Sequence, residues 1–206
     1  MSNVCLCVFT KSPVPGQVKT RLLPVLTAEQ ACDVHKKLLN HCVSQVQHAD
    51  WQCQLWSTDV QHTYIRELAQ RHAMSLHRQK GEDLGDKMRH AVNQSLINFS
   101  YVILIGSDCP SIDVKLVSAA IKSLQTGNEV VLAPADDGGY VLIGMSIGAG
   151  SLFNEIEWGT DQVLTITRER LALAGVRWHE LEMQRDIDRP EDLIFLQQQY
   201  PELFIQ

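Results

Sequence analysis

Tyr101-Val102-Ile103-Leu104-Ile105, running straight into Gly106-Ser107-Asp108-Cys109-Pro110, is the stretch that decides the fold class. Five consecutive apolar residues ended by a glycine predict a short strand buried on both faces, as the central strands of parallel sheets are. On either side, short strand-like runs alternate with longer segments of helical periodicity. Strands are expected at Val4–Phe9, Gln52–Trp56, Met74–His77, Glu129–Ala133, Tyr140–Gly144 and Val176–Leu181. Helices are expected at Ala28–Gln47, Val60–His72, Leu84–Ile97, Val114–Leu124, Thr160–Ala174 and Glu191–Gln199. In the first helix Ala31, Val34, Leu38, Cys42 and Val46 form an apolar stripe behind a Thr27–Gln30 capping box. That leaves His35, His41 and His48 on or near its solvent face. The alternation implies a three-layer α/β fold, a mostly parallel, Rossmann-like sheet with helices on both faces.

A chain of 206 residues fits one domain, expected to run from 1 to 206. Eighteen Lys and Arg against 24 Asp and Glu give a formal charge of −6. That argues against a broad grip on nucleic acid or an anionic membrane, but not against a local cluster of cations on phosphates. No apolar run approaches the roughly 18 residues of a membrane-spanning helix. Met1-Ser2-Asn3 lacks the basic start of a secretory signal, so a cytoplasmic protein is expected. The 6 cysteines form no CxxC pair and no zinc spacing, and are expected mostly as small buried hydrophobes. The 8 histidines show no metal-binding spacing such as HExxH. Oligomeric state is left open.

In an open α/β sheet ligands bind beyond the carboxyl ends of the strands, and four segments expected there are chemically unusual. Lys11-Ser12-Pro13-Val14-Pro15-Gly16-Gln17-Val18-Lys19-Thr20-Arg21 follows the first strand. Lys11, Lys19 and Arg21 can neutralise a di- or triphosphate, and Gly16 permits close backbone approach. The alternative is a solvated loop, and the spacing is not that of a Walker A motif. Asp108, at the end of the central strand, is placed to hold Mg²⁺, or else to cap the next helix. Asp136-Asp137-Gly138-Gly139-Tyr140 is either a plain hairpin turn or a mouth that binds acceptor hydroxyls. Asp188, before Arg189-Pro190-Glu191, either starts a helix or meets Asp108 on one divalent ion. Trp158 is expected in the core and Thr160 as a helix N-cap.

Together these four segments resemble a bacterial family of GT-A-like transferases within the nucleotide-diphospho-sugar transferase superfamily, similar to the phospholactate guanylyltransferases. The likeness spans nearly the whole chain, from Lys11 through Gly106-Ser107-Asp108 and Asp136–Gly144 to Asp186-Ile187-Asp188-Arg189-Pro190. It implies a GT-A type sheet with a nucleotide in the crevice. Lys19 and Arg21 would contact its phosphates, beside Lys11 and Gly16, and Asp108 would hold a divalent metal, Mg²⁺ or Mn²⁺. Asp188 would be the second metal carboxylate, with Asp186 as the alternative. Asp137, Gly138, Gly139 and Tyr140 would lie toward the acceptor. Members often carry Trp-Ser-Thr where this chain has Trp158-Gly159-Thr160.

The expected reaction is metal-dependent nucleotidyl transfer from a nucleoside triphosphate to a phosphorylated small-molecule acceptor, releasing pyrophosphate. Lys19, Arg21 and Asp108 would be its catalytic residues. The alternatives are glycosyl transfer from an NDP-sugar and a non-catalytic nucleotide-binding module. Against the glycosyltransferase stands the sequence Ser107-Asp108, which supplies one carboxylate where an Asp-x-Asp motif has two.

Overall fold

A computed structural model describes residues 3–204, organised on one seven-stranded sheet. The strands are β1 (Val4–Thr10), β2 (Gln52–Ser57), β3 (Ser75–Arg78), β4 (Tyr101–Gly106), β5 (Val130–Pro134), β6 (Tyr140–Met145) and β7 (Trp178–Glu180). Their spatial order is β3-β2-β1-β4-β6-β5-β7. All neighbours are parallel except β6, which is antiparallel to both β4 and β5. The exception follows from local sequence: a turn as short as Asp137-Gly138 can only return the chain antiparallel. The predicted, mostly parallel α/β sheet is what forms.

The helices are α1 (Ala28–Gln45), α2 (Thr63–Arg71), α3 (Leu84–Ser95), α4 (Val114–Gln125), α5 (Val163–Leu173) and α6 (Pro190–Gln199). Because successive strand residues point to opposite faces, β1 feeds two cores. Val4, Leu6 and Val8 pack with residues of α1, α2 and α4. Cys5, Cys7 and Phe9 pack with residues of α3 and α5. A third cluster sits outside the first layer, where Leu193 and Leu196 of α6 close with Ile187 and Leu22 over Val34 and Leu38 of α1. Burying this much apolar surface on both sides of one sheet supplies the driving force for the fold. Among the described residues no helix is long and apolar enough to cross a membrane. All 6 cysteines are free, 5 of them buried and Cys53 half-buried.

The structure corrects several expectations. His35 is buried, at 4% exposure, rather than solvent-facing. The reason is that its ring packs on the ends of β1 and β4, with Nε2 at the Lys11 carbonyl (3.0 Å) and Nδ1 3.7 Å from Asp108 Oδ1. His41 is half-buried with Nε2 3.0 Å from the Pro110 carbonyl, and His48 lies past the helix end. Helix α2 starts at Thr63, later than Val60, and α5 starts at Val163, later than Thr160. Thr160 caps nothing: its hydroxyl donates back to the Glu157 carbonyl (2.8 Å), and Gln162 occupies the N-cap position. The Thr27–Gln30 capping box of α1 does form.

The turn into α6 is organised by Asp192. Its carboxylate accepts from the backbone N–H groups of Asp188 (3.0 Å) and Arg189 (2.8 Å) and from the Arg185 guanidinium (2.8 Å). Burial pushes its pKa up, but these donors outweigh burial and hold it below the usual carboxylate range. A depressed folded pKa gives stability that is present above the unfolded value of about 4 and is lost as pH falls through the folded one. Asp192→Asn is therefore expected to lower stability by about 1–3 kcal/mol at pH 7. The gap should close as the pH is lowered below about 4. Thermal unfolding of both proteins from pH 7 to pH 3 checks this, and a gap independent of pH would contradict it.

Candidate functional site

A crevice of about 560 Å³ opens at the carboxyl ends of the central strands. The loop after β1, the end of β4, the start of β6 and the chain before α6 meet there, and the walls include Lys11, Lys19, Arg21, Asp108, Tyr140 and Asp188. Its floor is an ion pair. Lys19 adopts a left-handed backbone conformation (φ 49°, ψ 38°), which turns its side chain inward until only 2% is exposed. Its Nζ lies 2.9 Å from Asp108 Oδ1 and also donates to the Ile187 carbonyl. The Ile187 N–H in turn donates to the Asp108 carbonyl (3.0 Å), so three remote segments are tied at one point.

Asp108 does not cap a helix; Asp113 does that for α4, accepting from the Leu116 N–H at 2.9 Å. Its side chain remains 42% exposed to the crevice. Burial alone would raise its pKa, but the Lys19 ammonium and the His35 ring hold it well below the usual carboxylate range, so it is anionic. His35 supports this arrangement from α1. Its Nε2 donates to the Lys11 carbonyl (3.0 Å), and its Nδ1 lies 3.7 Å from Asp108 Oδ1.

Arg21, in a single 3₁₀ turn (Thr20–Leu22), reaches across the crevice. One nitrogen meets Asp188 Oδ2 at 2.5 Å and the other the Gly159 carbonyl at 3.2 Å. Asp188 precedes the N-cap of α6, Arg189, so its carboxylate is free for this pairing. Asp186 faces other carboxylates. Burial first, and then the negative charges of Asp137, Asp108 and Asp188, push its pKa up to about 7 against the opposing pull of Lys19.

Other anticipated residues are placed differently. Gly16 (φ 76°) lies outside the crevice, where Pro15-Gly16 occupies the middle of a turn closed by the Gln17 N–H to Val14 carbonyl bond (3.0 Å). Proline followed by a left-handed residue is the type II turn pattern. Asp137, Gly138 and Gly139 are also absent from the crevice wall. Asp137 accepts from the Gly139 N–H (2.9 Å) in the hairpin turn. Gly138 (φ 87°) packs so closely on the 159–164 segment that a Cβ there would lie 2.4 Å from the Asp161 carbonyl oxygen. Tyr140 lines the crevice, with its hydroxyl buried beside Thr167 and its pKa raised by burial.

Wall residues that escaped the sequence reading include His35, Gln79 and Lys87. His35 lies four residues after Ala31 and three before Leu38, so it was on the apolar stripe. Gln79 and Lys87 belong to the segment after β3, where the strand-end rule applied equally. Gln79 Nε2 donates to the Thr10 and Trp56 carbonyls, both at 3.0 Å. Trp158 packs against the second core, as expected, but also faces the crevice.

Known proteins share this architecture. The model of the family described as "Uncharacterized protein conserved in bacteria (DUF2064)" matches residues 39–160, more than half of the chain. No curated protein matches it. A protein from Desulfovibrio desulfuricans G20, assigned to the nucleotide-diphospho-sugar transferases, superimposes with a TM-score of 0.87 at 26% identity, covering 97% of this chain and 89% of that one. A cytidylyltransferase from Leptospira borgpetersenii gives 0.61 at 14% identity, covering 99% and 97%. Glucosyl-3-phosphoglycerate synthase from Mycobacterium tuberculosis, solved with Mn²⁺, UDP and glucosyl-3-phosphoglycerate, gives 0.58 at 10% identity, covering 93% and 74%.

The close packing at the hairpin tip makes a sharp test. Gly138→Ala forces a left-handed alanine against the Asp161 backbone, and a loss of about 1–3 kcal/mol is expected. A drop of several degrees in Tm would register it. An unchanged Tm would mean that the tip does not pack on the 159–164 segment.

Proposed function

The chain belongs to the bacterial family DUF2064, and for this transferase we propose nucleotidyl transfer from a nucleoside triphosphate to a phosphorylated small molecule. The observation that carries the proposal is the charge of the crevice. Lys11, Lys19, Arg21 and Lys87 surround two carboxylates, Asp108 and Asp188, in a chain whose formal charge is −6. Lys19 and Arg21 are paired with those carboxylates, while Lys11 and Lys87 have no ion-pair partner among the described residues. Such a surplus suits a triphosphate better than the less charged diphosphate of an NDP-sugar. The fold itself is shared by a cytidylyltransferase and by a glucosyl-3-phosphoglycerate synthase, so the charge and not the fold carries the choice.

A divalent ion fits the residues present. Asp108 is a half-exposed oxygen donor held ionised by Lys19 and His35, and burial together with the carboxylates around Asp186 raises the proton affinity of Asp186 in a way that a cation would relieve. Asp108 would hold Mg²⁺ or Mn²⁺, with a second carboxylate from Asp188 or Asp186. Among the described residues no three His, Cys, Asp or Glu side chains form a ready-made metal set. Mg²⁺ commonly binds through one or two carboxylates together with water and substrate phosphates. When bound, it would supply charge neutralisation on those phosphates.

In the proposed reaction an acceptor phosphate oxygen bonds to the α-phosphorus while the bond to the β-phosphate bridge breaks, and pyrophosphate leaves with the electron pair. Lys11, Lys87 and Arg21 would stabilise the charge carried by the leaving group. Arg21 must first exchange Asp188 for phosphate oxygen. Lys19 would keep Asp108 ionised and oriented rather than bind phosphate, which revises the role first expected of it.

The test is pyrophosphate release from the four nucleoside triphosphates with phosphorylated acceptors and Mg²⁺. Lys11→Ala and Lys87→Ala are each expected to cut kcat/KM by roughly tenfold or more with Tm unchanged. Lys19→Ala is a poorer probe, because it also removes the buried ammonium that ties Asp108 to the Ile187 carbonyl and so perturbs the fold of the crevice. NDP release from NDP-sugars, with no pyrophosphate from any triphosphate, would establish glycosyl transfer instead. Tight nucleotide binding without turnover of either donor would leave a binding module.

A further inference from the structure

We propose a second ligand site on the β2–β3 flank of the sheet, for a flat ring that carries a phosphate: the nucleoside monophosphate class. A cavity of about 460 Å³ opens there between β2, β3 and α3, and it shares no lining residue with the crevice. Its cations are Arg78 and Lys80, and its lining contains no carboxylate. Neither cation has an ion-pair partner among the described residues. In a chain of net charge −6, two adjacent unpaired cations over an uncharged cavity suit a phosphate dianion.

The floor of the cavity is a buried amide with a fixed direction. Gln54 is only 9% exposed. Its Oε1 accepts from the Trp56 indole N–H at 2.9 Å, the Ser95 hydroxyl at 3.1 Å and the Cys7 thiol at 3.6 Å. An indole N–H can only donate, so the carbonyl end of the amide is on that side. The NH₂ end therefore points away from these donors, and it makes no hydrogen bond in the structure. It is open to the cavity, where a ligand acceptor such as a ring carbonyl would pair with it.

The wall beside it is a stack. The His77 ring lies 4.7 Å from Trp56 at 18°, and His90 meets the same indole edge-on at 6.0 Å. Burial lowers the pKa of both imidazoles, so near neutral pH they present flat, neutral faces. Ring stacking on such faces is tolerant of base identity. The site thus joins a stacking face, one directed amide donor and two cations.

The experiment is calorimetric titration of the whole protein with AMP, GMP, CMP and UMP, with inorganic phosphate and with uridine. At least one monophosphate is expected to bind a site that persists in Lys11→Ala/Lys87→Ala. That site should weaken by about tenfold or more in Arg78→Ala/Lys80→Ala, whose wild-type side chains are exposed and unpaired. Uridine and inorganic phosphate should each bind it at least about tenfold more weakly than the monophosphate does. Isotherms unchanged by Arg78→Ala/Lys80→Ala, or no monophosphate binding outside the crevice, would overturn the site. Inorganic phosphate binding as tightly as the monophosphate would overturn the ring component.

Discussion

The Lys19–Asp108 ion pair is the constraint around which the crevice is arranged. A side chain as long as lysine is rarely buried to this extent, and here burial is possible because the ammonium meets a carboxylate at 2.9 Å and the Ile187 carbonyl. The pair reaches from the loop after β1 to the end of β4, and the Ile187 backbone links both to the turn before α6. Removing either partner strands a charge, so three segments distant in sequence share one position in space. The left-handed backbone at Lys19 is the local cost of aiming its side chain inward.

The sheet provides the frame for this meeting. β1 and β4 are parallel neighbours, so their carboxyl ends and the loops that leave them lie side by side. β6 enters between β4 and β5 in the opposite direction and brings its first residue, Tyr140, to the same rim. Arg21 then closes one side by holding Asp188 and the Gly159 carbonyl together. With its cations partly paired and partly free, the crevice is balanced internally yet attractive to a polyanion. The same sheet leaves its β2–β3 flank uncovered beyond α3, and the second cavity occupies that gap.

Much of this was legible in the chain. The apolar run at 101–105, the alternation of strands and helices and the Thr27–Gln30 cap are local signals, and each is realised in place. The cation-rich loop after β1 and Asp108 were legible because strand ends in parallel sheets converge. The burial of His35 was not, because its partners, the Lys11 carbonyl and Asp108, come to α1 only once β1 and β4 lie side by side. The hairpin at Asp137-Gly138 read equally well as a turn or as an acceptor contact. Only the approach of the Asp161 backbone decides that Gly138 serves packing.

Local patterning alone sets the class of fold, the identity of the strands and the collection of charges at their carboxyl ends, since periodicity and strand direction are properties of short segments. Tertiary structure decided which charges pair and which stay free. Lys19 turned inward on Asp108 and Arg21 crossed to Asp188, while Lys11 and Lys87 were left open to the crevice. Pairing depends on distances of a few ångströms between segments that only the folded sheet brings together, and electrostatic energy at that range changes steeply with both separation and burial.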